Sequence, residues 1–291
     1  MMTNTNETTV WSRTARRMTP VFAGEISGLD LSRPLSDADF ERVRALFLEH
    51  AVLVFRDQVL DDAALLAFTA RFGPMDIHHL AEHLKKSQPE IRILSNDKKD
   101  GEYVGAHKSG MVWHTDQSFK ERPMLATFLL GDDCPPEGGD TQFANMTAAY
   151  DALPDTMKQR IDGLIAIHDR NFSYAERYPD RPPLTAEQLK EVPPVSHPLV
   201  RRHPETGRPG LFMALSDIRD IEGMDRAAAL VLVEELIDFA TQDEFVYSHK
   251  WRNGDLVVWD NRCTMHRATP YNDHMYRRYM RRTQVRGDRP V

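Results

Sequence analysis

Two residue types that bind metals stand two positions apart in the triplet His114-Thr115-Asp116. In an extended strand, residues at this spacing project from one face, about 6.5–7 Å apart at Cα, so the imidazole and the carboxylate can converge on one ion. A redox-active metal needs open positions for its reactants, and two histidines with one carboxylate leave such positions open. The triplet therefore predicts half of a metal site.

Spacing alone does not identify the site, because a chain with 12 His and 44 acidic residues contains about two such triplets by chance. The second triplet, at 203–205, carries Pro204 and is followed by Gly207, which is typical of a hairpin turn. His114 instead follows the apolar residues 111–113 in an extended setting. We therefore place the site at His114 and Asp116, with a satisfied His and an exposed Asp as the alternative.

A second histidine, His266, follows a predicted strand near the C-terminus and suits a third ligand position. Beyond it stand Arg277, Arg278, Arg281 and Arg282. If this segment is a strand, Arg278 and Arg282 share one face and the other two arginines share the opposite face, so one pair can point inward. A buried guanidinium needs an anion, and a carboxylate is its natural bidentate partner. The pattern predicts a carboxylate-bearing cosubstrate or substrate, with a solvated basic edge as the alternative.

Short apolar segments separated by turn residues dominate the chain from residue 91 onward and favour a β-sandwich or barrel. Helices interrupt the strands without following each one, as parallel βαβ units would require, and Gly-rich nucleotide loops are absent from the sequence. The fold class is therefore mainly β with flanking helices (α+β). The predicted strands are 91–95, 111–116, 124–130, 164–168, 198–202 and 211–214, and the predicted helices are 36–50, 61–72, 146–153, 155–163 and 225–241.

The composition of the 291 residues is that of an ordinary globular protein, with 41% hydrophobic residues and a net charge of -7. The negative charge argues against nucleic acid or an anionic membrane as partner. Apolar runs are too short to span a bilayer, and two cysteines are too few for a disulfide framework, so we expect a cytoplasmic protein. Residues 1–16 are predicted to form a flexible arm, and residues 17–291 a single domain.

Segments spread over nearly the whole chain jointly resemble the TauD/TfdA family of iron(II)- and 2-oxoglutarate-dependent dioxygenases. The resemblance is nearest to the aryloxyalkanoate (2,4-D type) branch, through residues 203–208, residues 264–268 and the arginine pair. The segments are GLDL at 28–31, AVLVFRDQ at 51–58, FGP at 72–74, WHTD at 113–116, GGDT at 138–141, AAYDAL at 148–153, and 259–262 with His266.

This resemblance implies a double-stranded β-helix, or jelly-roll, core and a site that holds Fe(II) through His114, Asp116 and His266. 2-Oxoglutarate is then expected to occupy two further coordination positions and O2 the last. The implied reaction converts 2-oxoglutarate to succinate and CO2 while hydroxylating a small anionic organic substrate, such as a carboxylate, aryloxyalkanoate, sulfonate or sulfate ester.

The resemblance also implies roles for residues outside the metal site. The distal carboxylate of 2-oxoglutarate is assigned to Thr141 and Arg282, in a register where one inserted residue shifts the binding arginine from 281 to 282. A one-residue slip would turn every side chain to the other face. Arg278 is then expected beside the iron, contacting 2-oxoglutarate or an anionic group of the substrate.

Asn96, at a predicted strand end, and His79, on the segment after Gly73, are further candidates for substrate contacts, with turn chemistry and an exposed loop as their alternatives. We also expect a homo-oligomer, a dimer or tetramer. Two other functions stay open: a zinc hydrolase with the same ligands, although the sequence lacks His-Glu-x-x-His on a helix, and a non-catalytic barrel binding module.

Overall fold

The structure of the chain is a computed structural model that describes residues 11–77, 83–172, 174, 183 and 185–291. Strands contribute more residues than helices, as predicted. In chain order the strands are β1 (Arg16–Arg17), β2 (Gly24–Ile26), β3 (Val52–Phe55), β4 (Leu84–Lys85), β5 (Gln88–Ser95), β6 (Lys98–Lys99), β7 (Glu102–Tyr103), β8 (Met124–Asp133), β9 (Thr141–Asn145), β10 (Ile165–His168), β11 (Val195–Pro198), β12 (Val200–Arg202), β13 (Pro209–Leu211), β14 (Ile218–Ile221), β15 (Val246–His249), β16 (Leu256–Asp260), β17 (Thr264–Ala268) and β18 (Tyr279–Arg286).

Side-chain caps set the starts of the first two helices, where the Ser36 hydroxyl and the Asp61 carboxylate each accept a backbone N–H from the first turn. Each predicted helix is present, with its ends within two residues of the prediction. No helix in the described ranges is both long and apolar enough to cross a membrane. The helices are α1 (Asp37–His50), α2 (Asp62–Ala70), α3 (Met146–Ala152), α4 (Asp155–Ile161), α5 (Ala186–Glu191) and α6 (Arg226–Ala240).

The larger sheet has the strand order β1-β2-β3-β16-β8-β18-β5-β4. Neighbouring strands are antiparallel except for the parallel pair of β2 and β3. Strands β3 and β16 are buried at every position, because helices cover one face of the sheet and a second sheet covers the other. Burial on both faces explains why their sequences are continuous apolar runs without alternation.

The smaller sheet has the order β15-β9-β17 and packs its inner face on the larger one. Phe143 of β9 lies 5.4 Å from Trp259 of β16, measured between ring centroids. Val257 and Met280 of the larger sheet belong to the same buried cluster. Two facing antiparallel sheets with helices outside them form the predicted jelly-roll core.

The predicted strand at 111–116 is wrong, and its replacement matters for the site. Only His114 pairs there, in an isolated antiparallel bridge to His266 of β17, and a turn begins at Asp116. The apolar residues Val112 and Met111 that suggested a strand are exposed or half-buried. A single bridge therefore adds His114 to the edge of the smaller sheet.

Residues 11–16, which the sequence assigns to a loose arm, contact the domain. Trp11 packs against the buried cluster under α1 and α2. The backbone carbonyl of Arg13 accepts a hydrogen bond from Arg42, and its guanidinium pairs with Asp39 at 2.8 Å. Residues 11–16 thus make contacts with the domain, while residues 1–10 of the predicted arm lie outside the described residues, and the boundary at residue 17 stays a prediction.

We predict that Phe68→Ala lowers the free energy of unfolding by about 3–5 kcal/mol, because the ring fills the space between α2 and the larger sheet. Phe68 is 5% exposed and meets Phe55, Phe72 and Phe128 edge to face at centroid distances of 5.6–5.8 Å. Denaturant titration followed by circular dichroism measures the loss. Val231→Ala, at a position 60% exposed, is the control and should change stability by less than about 0.5 kcal/mol.

Candidate active site

Three side chains from distant parts of the chain converge at the open edge of the smaller sheet. Nε2 of His114 lies 3.9 Å from Oδ1 of Asp116, and Nε2 of His266 lies 3.8 Å from Oδ2 of the same carboxylate. One ligand atom from each residue falls within 4.8 Å of the others. The spacing of these atoms fits a single ion between them.

Backbone hydrogen bonds place the two histidines. His114 N–H donates to the carbonyl of His266 at 3.0 Å, and His266 N–H donates back at 2.8 Å. Residues paired in this way project from the same face of a sheet, so both imidazoles point to one side. Asp116 reaches them from the following turn, where its N–H donates to Oδ1 of Asn261 and the neighbouring Thr115 hydroxyl donates to the carbonyl of Asn261.

Both imidazoles present Nε2 to the site. Nδ1 of His114 is 2.8 Å from the carbonyl of Val112, which can only accept, so Nδ1 carries the proton and Nε2 a lone pair. The ring of His266 lies 4.7 Å from Trp259 and 6.1 Å from Phe143, measured between centroids. Burial, reinforced by His114, lowers the pKa of His266 to about 3, so this ring is neutral at neutral pH.

The Asp116 carboxylate stays charged despite its burial. Burial raises the pKa of Asp116, but the charge of Arg282, followed by His266, His114 and the Thr127 hydroxyl, lowers it to about 2. Nη1 of Arg282 is 3.4 Å from Oδ1, and the Thr127 hydroxyl donates to Oδ2 at 2.7 Å. Two imidazole lone pairs and one carboxylate are the donor set that suits Fe(II) with open positions, so these residues fit the metal that the sequence implies.

Strand β18 turns Arg282 inward and Arg281 outward. Arg281 pairs with Asp62 and Asp132 at 2.7 Å each, near the surface, whereas Arg282 lies beside Asp116. The neighbouring Arg277 is also outside, paired with acidic side chains. The structure therefore has the register in which Arg282, and not Arg281, points inward.

Arg282 is the arginine that contacts Asp116, and the expected position of Arg278 beside the iron stays a prediction. Arg278 lines a cavity of about 140 Å³ together with Ala268, Tyr271 and Met111. Its guanidinium has no hydrogen-bond or ion-pair partner among the described residues. Burial lowers the pKa of Arg278, which means that its surroundings do not compensate the charge.

This cavity and the three converging side chains lie on the same face of β17. His266 and Ala268 are two positions apart in the strand, so their side chains project to the same side. Thr141 of β9 stands directly opposite Ala268, and its hydroxyl accepts a hydrogen bond from Nε1 of Trp251 at 3.0 Å. The hydroxyl proton of Thr141 remains available for a ligand on that face.

The two proposed substrate contacts receive no support. The amide nitrogen of Asn96 donates to the carbonyls of Asp273 and Tyr276, and its oxygen accepts the N–H of Arg278. Asn96 tethers the segment that carries Arg278, and its role as a substrate contact stays a prediction. His79 lies outside the described residues.

A second group of metal-ligand types, His203, Asp260 and Cys263, also lies within 4.8 Å but is already satisfied. Nδ1 of His203 accepts two backbone N–H groups, so Nε2 carries the proton and donates to Asp260 at 3.1 Å. Arg262 donates to both oxygens of the same carboxylate. Burial raises the pKa of Cys263 well above its usual range, and the group has no free ligand set.

Sequence reasoning missed the buried polar residues around Asp116. Thr127, Gln284 and Asn261 are each at most 4% exposed, and their side chains hydrogen-bond to each other and to the site. For Gln284 a signal existed, because it stands two positions after Arg282 and must share its face. Thr127 carried no such signal in an apolar strand.

Known proteins resemble this chain over nearly its whole length. The pattern of the taurine catabolism dioxygenase TauD, TfdA family matches residues 14–284. The chain is 35% identical over 298 residues to the alpha-ketoglutarate-dependent 2,4-dichlorophenoxyacetate dioxygenase of Cupriavidus pinatubonensis, covering 95% of this chain and 99% of that protein. This chain belongs to the TauD/TfdA family. The predicted resemblance is confirmed.

Other relatives agree with this assignment. An alpha-ketoglutarate-dependent sulfate ester dioxygenase of Pseudomonas putida is 31% identical, with 92% of this chain and 87% of that protein covered. The crystal structure of AAD-2 in complex with Mn(II) and N-oxalylglycine matches with a TM-score of 0.77 and 35% identity over 95% of this chain and 98% of that one. The chain is a 2-oxoglutarate-dependent non-heme iron dioxygenase that uses Fe(II), 2-oxoglutarate and O2.

We predict that Arg282→Met raises the pKa of Asp116 in the metal-free dioxygenase. Burial raises this pKa, and the variant lacks the positive charge that lowers it most. The carboxylate of the unchanged protein stays ionised until the pH falls to about 2, whereas that of the variant takes up its proton at a higher pH. Carboxyl 13C titration by NMR follows the residue. Arg281→Met, on the opposite face, should leave the Asp116 titration where it was.

Proposed function

We propose that this dioxygenase hydroxylates a small organic acid at iron held by His114, Asp116 and His266. The observation that carries the proposal is Arg278, a half-buried arginine without a partner among the described residues, on a cavity that lies on the same face of β17 as His266. A buried guanidinium without an anion is costly, so the cavity calls for an anionic ligand. Ferrous iron, when bound, supplies the O2 activation that couples decarboxylation of 2-oxoglutarate to oxygenation of a C–H bond.

The cosubstrate fits the space between the metal donors and Arg278. Its distal carboxylate pairs with the Arg278 guanidinium and accepts a hydrogen bond from the Thr141 hydroxyl. His266 and Ala268, which mark the two ends of this space, are two strand positions apart, or about 7 Å. That span suits a five-carbon dicarboxylate whose other end reaches the metal.

This placement exchanges the roles that the sequence suggested for the two arginines. The sequence paired Thr141 with Arg282, but Arg282 donates to Asp116 at 3.4 Å and to Gln284 at 3.0 Å, next to the metal donors. Thr141 instead stands opposite Ala268, which lines the same cavity as Arg278. The proposal therefore keeps Thr141 and replaces Arg282 by Arg278 as the anchor of the distal carboxylate.

Arg282 is then the residue that attracts the acidic group of the prime substrate. Its Nε is buried and has no partner among the described residues, and its contact to Asp116 is long, so the guanidinium keeps capacity for another anion. The relatives act on 2,4-dichlorophenoxyacetate, (S)-phenoxypropionate and sulfate esters, all of which carry an anionic group. Small carboxylates, above all aryloxyalkanoates, are the first substrates to test.

The alternatives make different predictions in the same assay. A zinc hydrolase would convert its substrate without O2, and a binding module would bind it without turnover. The proposed dioxygenase must form succinate in proportion to substrate consumed, with O2 and Fe(II) both required. Anaerobic titration of the Fe(II)–2-oxoglutarate complex with candidate acids, followed by product analysis in air, separates the three. Cytoplasmic location and a homo-oligomeric state, dimer or tetramer, stay predictions.

We predict that Asp116→Ala abolishes metal binding and succinate formation, because two imidazoles alone lose the charged ligand of the site. Anaerobic isothermal titration with Fe(II) measures the binding. Asp169→Ala changes a buried carboxylate that pairs with Arg219 and serves as the matched control. Normal turnover in the Asp116 variant would remove this residue from the metal site.

We predict that Arg278→Ala raises the KM for 2-oxoglutarate at least about 10-fold, because the loss of a buried charge-assisted pair costs more than about 1.4 kcal/mol. Arg282→Ala should instead raise the KM for an acidic prime substrate, and Arg281→Ala should change neither constant by more than about 2-fold. Steady-state kinetics with each substrate varied in turn measures all three. A larger effect of Arg282→Ala on 2-oxoglutarate would restore the assignment suggested by the sequence.

A further inference from the structure

A closed set of hydrogen bonds surrounds the Asp116 carboxylate on the inner face of the larger sheet. The Thr127 hydroxyl lies 2.7 Å from Oδ2 of Asp116, and Nε2 of Gln284 lies 3.0 Å from that hydroxyl. Oε1 of Gln284 is 3.0 Å from Nη2 of Arg282, and Nη1 of Arg282 is 3.4 Å from Oδ1 of Asp116. Nδ2 of Asn261 approaches the same hydroxyl at 3.0 Å.

The orientation of both amides follows from neighbours that can only donate. Arg282 has no acceptor atom, so the Gln284 atom facing it must be the oxygen, and the amide nitrogen then faces Thr127. Asn261 meets the backbone N–H of Asp116 and the indole N–H of Trp259, so it presents oxygen to them and nitrogen to Thr127. Thr127 therefore accepts two hydrogen bonds from amide nitrogens.

This leaves the Thr127 hydroxyl one possible use for its proton. A hydroxyl accepts two hydrogen bonds and donates one, and both acceptor sites are filled by Gln284 and Asn261. The single proton is thus committed to Oδ2 of Asp116, at the shortest distance in the set. We infer that Thr127 is a positioning residue that fixes the rotation of the Asp116 carboxylate for metal binding.

The other contacts to this carboxylate are too loose to do the same. Arg282 reaches Oδ1 at 3.4 Å, a long hydrogen bond, and it also faces the space for the substrate acid. Thr127 is fully buried in β8, the strand between β16 and β18, and cannot exchange its partners with water. Outer partners of metal ligands typically contribute 10- to 100-fold to metal affinity, and we assign that share to this hydroxyl.

The inference rests on the proposed metal site, and its test uses metal affinity instead of turnover. We expect Thr127→Val to weaken Mn(II) binding, followed by EPR titration of the full chain, by about 10- to 100-fold. Thr127→Ser, which keeps the hydroxyl, should stay within about 3-fold of the unchanged protein. Thr127→Ala removes the hydroxyl without adding a branched methyl and replaces the valine variant if that one fails to fold.

Thr283→Val is the matched control, since it also removes a buried hydroxyl from the larger sheet. Thr283 pairs with the Thr69 hydroxyl at 2.6 Å on the helix side of β18, away from Asp116. It should lower the melting temperature like Thr127→Val but leave Mn(II) affinity unchanged. Unchanged affinity in Thr127→Val or Thr127→Ala, or an equal loss in Thr127→Ser, would overturn the inference. Unchanged affinity in Asp116→Ala would instead overturn the proposed metal site itself.

Discussion

A buried carboxylate that must stay ionised organises the inner face of this jelly roll. Asp116 is 4% exposed, and a lone carboxylate at such a place would take up a proton. Arg282 supplies the opposite charge, and Thr127 supplies a hydroxyl proton held in place by two amides. The polar residues of β8 and β18, together with Asn261 directly after β16, therefore form one hydrogen-bonded network that sets the charge state and direction of a single side chain.

The three candidate metal ligands meet at the edge of the smaller sheet. His266 belongs to β17, an outer strand of the smaller sheet, where His114 joins it by one bridge only and Asp116 follows in a turn. A single bridge fixes the distance between the two imidazoles while leaving the site open on the side where no further strand pairs in the described ranges. Such a position suits a metal that must admit a cosubstrate, O2 and a substrate.

Much of the site could be predicted from residue types and periodicity. Strand alternation places Arg278 and Arg282 on one face and Arg277 and Arg281 on the other. As expected, Arg277 and Arg281 form ion pairs near the surface. The sequence does not show which of the two inward arginines lies nearer the metal donors, because this depends on which end of β18 lies beside Asp116. The role of Asn96 could not be predicted from its position alone, since a strand-end amide binds a ligand or tethers a loop with the same hydrogen-bonding groups.

The uncompensated charge of Arg278 links ligand binding in the cavity to the stability of the fold. Arg278 is half-buried without a partner in the described ranges, and burial lowers its pKa, which means that its charged form is less stable in the folded chain than in water. An anion that binds there removes part of that cost in addition to forming its own hydrogen bonds. Because such a ligand binds only the folded chain, it stabilises the fold by mass action. The proposed dicarboxylate site therefore lowers the stability of the fold until its ligand binds, whereas at Asp116 the protein's own hydrogen bonds and the charge of Arg282 offset the cost of a buried charge.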